Sequence, residues 1–374
     1  MTTSTLTWAL AVSCALVVLL AVVAGRLLLS VRRLTREVAE LDEAAHVAAR
    51  TGTLSPQARR VALVINPTKL EAEVVIRLVH STCSSTGLAA PVIFASEAED
   101  AGRGAAREAV EQGADIVLAA GGDGTVRAVA SVLNGTEVAL GVIPLGTGNL
   151  FARNMGLPVQ NLNSCVQEAI HGRGYTVDTV ELELERAPGS EERESAVVER
   201  EISLVIAGGG LDAEVMGDTR DDLKERAGWL AYGEAGARHI MGARRNVTIS
   251  LDGEEPTSHK VRSVLLANCG SLQAGMVLVP SAQFDDGYLD AVLFTPRHAW
   301  DWAKILAKTV TRFSAEIPVM TVRQSRRARI TMEEPMPFQI DGDAVGDVLA
   351  VEAVTHHRSL IVNGVTGVTT LRNH

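Results

Sequence analysis

Residues 115–133 read Asp-Ile-Val-Leu-Ala-Ala-Gly-Gly-Asp-Gly-Thr-Val-Arg-Ala-Val-Ala-Ser-Val-Leu. A short apolar run at 115–119 enters a Gly-Gly-Asp-Gly-Thr turn at 121–125, and a helical pattern follows over 125–133. Glycines let backbone N–H groups approach an anion with no side chain in the way. The helix behind the turn adds its positive N-terminal end, so the turn suits a phosphate. Asp123 places a carboxylate within range of a metal or a reacting hydroxyl. Strand, glycine turn and helix together predict a nucleotide site, and the carboxylate points to phosphoryl transfer.

Working outward, the alternation continues on both sides. Strands are expected over 61–65, 91–95, 115–119 and 138–143, and helices over 70–85, 101–112, 125–133, from 149, and over 162–171. This order predicts a parallel sheet with both faces covered: a three-layer α/β nucleotide-binding domain over 61–177. Ligands of such sheets sit beyond the carboxyl ends of the strands, where the glycine turn lies. After Val177 the texture changes. Strand candidates at 179–185, 201–207, 246–251, 261–268, 288–294, 329–332, 338–340 and 348–353 are separated by Gly, Pro and Asp turns. Helices at 224–241 and 298–312 interrupt them, and the charge-rich 188–200 reads as a loop. A second, mostly antiparallel β-sandwich domain over 178–374 is expected, with a tail free to pack back on the first.

The N-terminus differs from the rest. Residues 7–25 carry no charge, and Arg26, Arg32, Arg33 and Arg36 follow them. Extended through 27–29, the run is long enough for one transmembrane helix across ~30 Å of hydrocarbon. The trailing cations predict a single-pass anchor over 1–30 in the cell membrane, with the catalytic domains cytoplasmic. Val31, Leu34, Val38, Leu41 and Ala45 recur at helical spacing over 31–50, a polar helix that permits a homodimer; 52–60, with Pro56, reads as a linker. Aromatics at 3% and a net charge of −10 argue against a nucleic-acid partner. Cys14, Cys83, Cys165 and Cys269 are too widely spaced for a zinc knuckle or a disulfide framework.

Three further turns follow strands. Asn66-Pro67-Thr68-Lys69 is, alone, an ordinary turn. Pro144-Leu145-Gly146-Thr147-Gly148-Asn149 repeats the logic of the first turn, with Thr147 placed to touch a nucleotide and Asn149 able to cap a helix. Asp341-Gly342-Asp343 closes a strand, and Asp-Gly commonly marks a hairpin. Thr125 suits an N-cap as well as a phosphate oxygen.

Together these residues resemble the diacylglycerol kinase catalytic family, which includes sphingosine and ceramide kinases and bacterial lipid kinases. Residues 121–125 and 144–153 are similar to its two nucleotide loops. Gly210-Leu211-Asp212-Ala213, 227–232 and 280–290 resemble landmarks of its β domain, and 341–343 falls where the family carries Asp-Gly-Glu. The resemblance covers roughly 61–362. It implies two domains with ATP and Mg²⁺ in the cleft between them and transfer of the γ-phosphoryl group to a lipid hydroxyl, diacylglycerol or a related membrane lipid. It further implies that Gly121, Gly122, Asp123, Gly124, Thr125, Gly146 and Thr147 bind the nucleotide, with Ser96 at the end of the second strand beside them. Asp343 takes the place of the general base, and Asp123 positions metal or phosphate. Gln283, Asp286 and Tyr288 correspond to a structural Mg²⁺ site, the first and last through backbone carbonyls, and oxygen ligands suit that hard cation. Three positions depart from the family pattern: Asp343 stands for Glu, Arg127-Ala128 for Asn-Glu, and Leu150 for Asp. These departures keep open a catalytically silent, membrane-tethered lipid or nucleotide sensor. A NAD kinase, which shares the Gly-Gly-Asp-Gly-Thr turn, is the rival enzyme.

Overall fold

The computed structural model describes residues 59–186, 197–210, 243–272, 277–311 and 317–364. The expected anchor at 7–25, the helix at 31–50, most of the linker, the landmarks at 211–213 and 227–232 and the helix at 224–241 lie outside the described residues. Among the described residues no helix is long and apolar enough to cross a membrane.

The first half is a parallel sheet of β1 (Val61–Ile65), β2 (Val92–Ala95), β3 (Ile116–Gly121) and β4 (Ala139–Pro144) in the order β2-β1-β3-β4. The period of two along each strand sorts its side chains onto two faces. Val61, Leu63 and Ile65 pack with Val75 and Val79 of α1 (Ala72–Ser85) and with Val166 and Ile170 of α5 (Leu162–His171). Ala62 and Val64 face the opposite core, with Ala106 and Ala109 of α2 (Arg103–Glu111) and with Val129 and Leu133 of α3 (Asp123–Leu133). The short α4 (Leu150–Asn154) joins that same core through Leu150, Phe151 and Ala152. Both faces are therefore dry, which is why β1 and β3 read as unbroken apolar runs.

The second half is antiparallel. Its strands are β5 (Arg173–Arg186), β6 (Val197–Ser203), β7 (Ile206–Gly210), β8 (Arg245–Leu251), β9 (Thr257–Val261), β10 (Ser263–Ala267), β11 (Leu289–Phe294), β12 (Met320–Ser325), β13 (Arg327–Ile340) and β14 (Asp343–Gly364), with α6 (Ala299–Thr311) between β11 and β12. Val180, Leu182, Val264, Leu266, Ile330 and Val351 belong to its central core.

Several element boundaries differ from the sequence reading. The strand expected at 201–207 is two strands separated by a bend at Leu204 and Val205. Residues 197–200, read as loop, belong to β6. The candidates at 329–332 and 338–340 are one strand, β13. Its pairing with β14 shifts register between Thr331 and Met336, where Pro335 lacks an N–H for the ladder, and the strand bends from β8 toward β7. β9 and β12 were not expected; their exposed residues alternate too weakly with apolar ones. β14, 22 residues long, pairs with β13 and β5 and ends in parallel register beside β4 through Val362 and Asn363. The two sheets are thus one continuous ladder, and the turn joining β13 to β14 is carried to the first half.

Candidate active site

The chain passes from β1 to β2 on one side and to β3 on the other, so the order β2-β1-β3-β4 leaves a crevice at the carboxyl ends of β1 and β3. Asn66, Ser96, Gly121 and Pro144 follow or end the four strands there. Asn66 folds its own turn: its Oδ1 accepts from the Thr68 N–H at 3.0 Å and the Thr68 hydroxyl at 2.7 Å. The Ser96 N–H donates to the Ile65 carbonyl, which extends the edge pairing by one residue.

The two glycine loops lie against each other. A Cβ on Gly146 would stand 2.9 Å from the Gly122 Cα and 3.0 Å from the Asn149 Oδ1, so only glycine fits there. Asn149, in left-handed conformation, closes the second loop by accepting from the Gly146 N–H at 3.0 Å and donating to the Gly146 carbonyl at 2.6 Å. Thr147 stands exposed at the tip of that loop. Thr125 is buried, and its side chain packs back over Gly121, whose Cβ would meet it at 2.5 Å. The hydroxyl of Thr125 therefore faces the loop's own backbone.

Asp123 fastens the first loop to the second. Its Oδ1 accepts from the Leu150 N–H at 2.7 Å, at the start of α4. Burial and the nearby Asp341 carboxylate push the Asp123 carboxyl up to about 6, against the backbone N–H groups of Leu150, Phe151 and Asn149, which favour its charged form.

The β13–β14 turn meets these loops from the other half. Asp341 is 3% exposed and has a structural task. Its Oδ1 accepts from the Ser203 hydroxyl at 2.7 Å, the Val205 N–H at 2.9 Å and the Ile206 N–H at 3.0 Å, and its Oδ2 from the Leu204 N–H at 2.9 Å. It thereby holds the bend between β6 and β7. Asp343 comes forward instead: a Cβ on Gly124 would lie 2.9 Å from its Oδ2. Arg127, on α3, donates to the Ile340 carbonyl and sits 3.1 Å from that same Asp343 oxygen. Arg127, one of the departures from the family pattern, is thus turned to the β13–β14 turn.

Gln283, Asp286 and Tyr288 are elsewhere, on the turn before β11, around a buried group that the sequence reading missed. Asp178 is 0% exposed within β5. Its Oδ2 accepts from the Gly287 N–H at 2.6 Å, its Oδ1 from the Arg358 N–H at 2.6 Å, and His357 Nδ1 lies 2.9 Å from that Oδ1. The Asp286 Oδ1 accepts from the Tyr288 N–H at 3.0 Å. Desolvation, Asp178 and Asp285 hold Asp286 above the usual carboxylate range. Among the described residues no group of three or more His, Cys, Asp or Glu side chains has the arrangement of a metal site. A cation at this turn would have one carboxylate and backbone oxygens, in a locality of excess negative charge, a set that fits a hard cation. The only sequence signal for Asp178 was a carboxylate at the apolar start of a strand.

Comparison with known proteins agrees with this architecture. Residues 60–182 match the diacylglycerol kinase catalytic domain, and residues 205–360 match the YegS C-terminal NAD kinase beta sandwich-like domain. A diacylglycerol kinase of Bacillus subtilis is 26% identical over 261 residues, 69% of this chain and 80% of that protein. A protein of Xanthomonas oryzae pv. oryzae named "Probable lipid kinase YegS-like" is 30% identical over 255 residues, 63% of this chain and 74% of its own length. The crystal structure of a diacylglycerol kinase from Bacillus anthracis str. Sterne superposes with a TM-score of 0.65 at 19% identity, over 84% of this chain and 100% of that one, a likeness of fold. By sequence and by architecture, the chain belongs to the family of diacylglycerol kinases and YegS-like lipid kinases.

Proposed function

We propose that the protein transfers the γ-phosphoryl group of ATP to the hydroxyl of a membrane lipid, diacylglycerol or a close relative. One observation carries the reading: the Asp343 carboxylate reaches the glycine turn, within 2.9 Å of where a Gly124 Cβ would be. A phosphate cradle and a half-exposed carboxylate, delivered from opposite halves of the chain, are the two parts such a transfer needs.

In this reading the N–H groups of 121–125 and Thr147 bind the phosphates, with the N-terminus of α3 behind them, while Gly146, whose N–H is taken by Asn149, gives the room. Glycine at 122 and 146 leaves the backbone bare for that approach. Asp343 takes the proton of the lipid hydroxyl as its oxygen bonds to the γ-phosphorus and the bridging oxygen leaves with ADP. Asp123 holds the two loops in register through Leu150. Ser96 lines the outer end of the crevice. Mg²⁺, where bound with ATP, spreads the charge that develops on the phosphoryl oxygens; the structural cation would be held by Asp286 and the carbonyls of Gln283 and Tyr288. The apolar segment 7–25 would keep the cytoplasmic cleft at the cell membrane and raise the effective concentration of lipid. ATP and lipid are the partners of this reading, without nucleic acid; the 31–50 helix would serve a homodimer.

The test is incubation of the full chain with labelled ATP and total membrane lipid, followed by identification of the labelled product. Asp343→Ala should lower turnover ~10²–10⁴-fold, the usual span for a general base, while ATP still binds. Unchanged turnover would remove Asp343 from the mechanism. ATP bound with no label in any lipid would favour the sensor, and label in NAD, supplied in a parallel incubation, the NAD kinase.

A further inference from the structure

Arg127 spans the two halves of the molecule at their point of chemistry. It lies on the second turn of the helix that begins at Asp123, and its side chain is 13% exposed whereas that of Asp343 is 51% exposed. One terminal nitrogen donates to the Ile340 carbonyl, and the other stands 3.1 Å from the Asp343 Oδ2. Ile340 and Asp343 are the cross-strand pair on either side of Asp341 and Gly342. A single guanidinium therefore holds both shoulders of the β13–β14 turn. A planar fork does this better than a point charge, because its two N–H groups are fixed relative to each other.

The turn's backbone has separate support. Asp341 anchors it to the bend between β6 and β7, and the Gly342 N–H donates to Gln339 Oε1 at 2.8 Å. Neither bond restrains the Asp343 side chain. Arg127 does, by holding Oδ2 on the Gly124 side. Its two terminal nitrogens are engaged by the Ile340 carbonyl and the Asp343 carboxylate, which turns the guanidinium toward the β13–β14 turn.

We infer that Arg127 is a positioning residue, which aims the Asp343 carboxylate at the hydroxyl entering the glycine turn and takes no part in binding the nucleotide. The inference rests on Asp343 being the general base. Loss of the guanidinium would leave the carboxylate present and remove that restraint on its Oδ2. Misplacement of a reacting group by about 1 Å costs up to ~10²-fold in rate.

The experiment is a double-mutant cycle on the full chain with Arg127→Met, Asp343→Asn and both together, plus Arg127→Lys as the variant that keeps charge and packing. Turnover, ATP affinity by calorimetry, and amide hydrogen exchange at 342–344 are measured for each. Arg127→Met should lower kcat ~10–10²-fold through misplacement alone, with ATP affinity within about twofold of the parent. Exchange at 342–344 should rise, Arg127→Lys should recover part of the turnover, and adding Arg127→Met to Asp343→Asn should cost nothing more. Weaker ATP binding with kcat intact would make Arg127 a nucleotide ligand and overturn the inference. So would an equal loss in the Asp343→Asn background, or parent-like turnover and exchange in Arg127→Met. If Asp343→Asn itself turns over like the parent, the general-base reading fails instead; if Asp343→Asn is inactive while Arg127→Met is parent-like, only the positioning role fails.

Discussion

Asp123 is a carboxylate that the fold holds at its own expense, and that expense can be read as a pH dependence. Its carboxyl is pushed up from the ordinary 3.8 to about 6 by burial and by Asp341. The folded chain therefore keeps the Asp123 proton at pH values where the unfolded chain has released it. Stability contributed by this site falls as pH rises between the two values and is level above the higher one. At about 1.4 kcal/mol for each pH unit separating the two values, ionised Asp123 costs the fold about 3 kcal/mol at pH 7 and about 0.5 kcal/mol at pH 4. Asp123→Asn removes the charge and keeps an oxygen facing the Leu150 N–H, and the cost of ionisation already includes the help of the backbone N–H groups. The variant should be more stable than the parent by about 3 kcal/mol at pH 8, and the advantage should shrink to about 0.5 kcal/mol near pH 4. Unfolding of both chains without nucleotide, by heat or urea at unit steps from pH 4 to 8, reads this directly. A difference that is constant across that range, or a parent that gains on the variant as pH rises, would refute the burial argument. Turnover should fall in the same variant, since this stabilising change loosens the joint between the two glycine loops.

The remaining predictions concern neighbouring parts of the site. In Gly146→Ala the new methyl meets the Gly122 Cα at 2.9 Å and forces the loops apart; an overpacking penalty of ~1–3 kcal/mol should lower the melting temperature by a few degrees, and the displaced loops should bind ATP at least ~5-fold more weakly by calorimetry. Asp341→Ala strands the N–H groups of Leu204, Val205 and Ile206 in the core, which should destabilise the chain by ~3–5 kcal/mol in denaturant titration. Asp343→Ala should leave unfolding little changed and remove turnover, so the two acids of one Asp-Gly-Asp turn separate cleanly into a structural and a chemical one.

Much of the first half was legible because its signals are local. The strand 61–65, the glycine turns and the helix 162–171 follow from hydrophobic period and glycine placement within short windows, and their structural bounds agree with the sequence to within a residue or two. The second half was less legible. Pro335 and Pro337 divide β13 into two runs in the sequence, yet bulged pairing with β14 keeps it one strand. Asp341 and Asp343 are chemically identical and two residues apart. No local pattern says that one is clamped to 203–206 while the other faces Gly124, because both partners are more than a hundred residues away.

The sequence alone determined that the chain makes a parallel α/β sheet with glycine turns at its carboxyl edge, since glycine freedom, helix polarity and strand period are properties of contiguous residues. Only the tertiary structure decided what those turns meet. β14 threads between β13 and β4, so the β13–β14 turn arrives at the glycine loops with Asp343 forward and Arg127 across from it. That meeting depends on strand order and on register shifts in a long bent strand, quantities set by packing over the whole molecule.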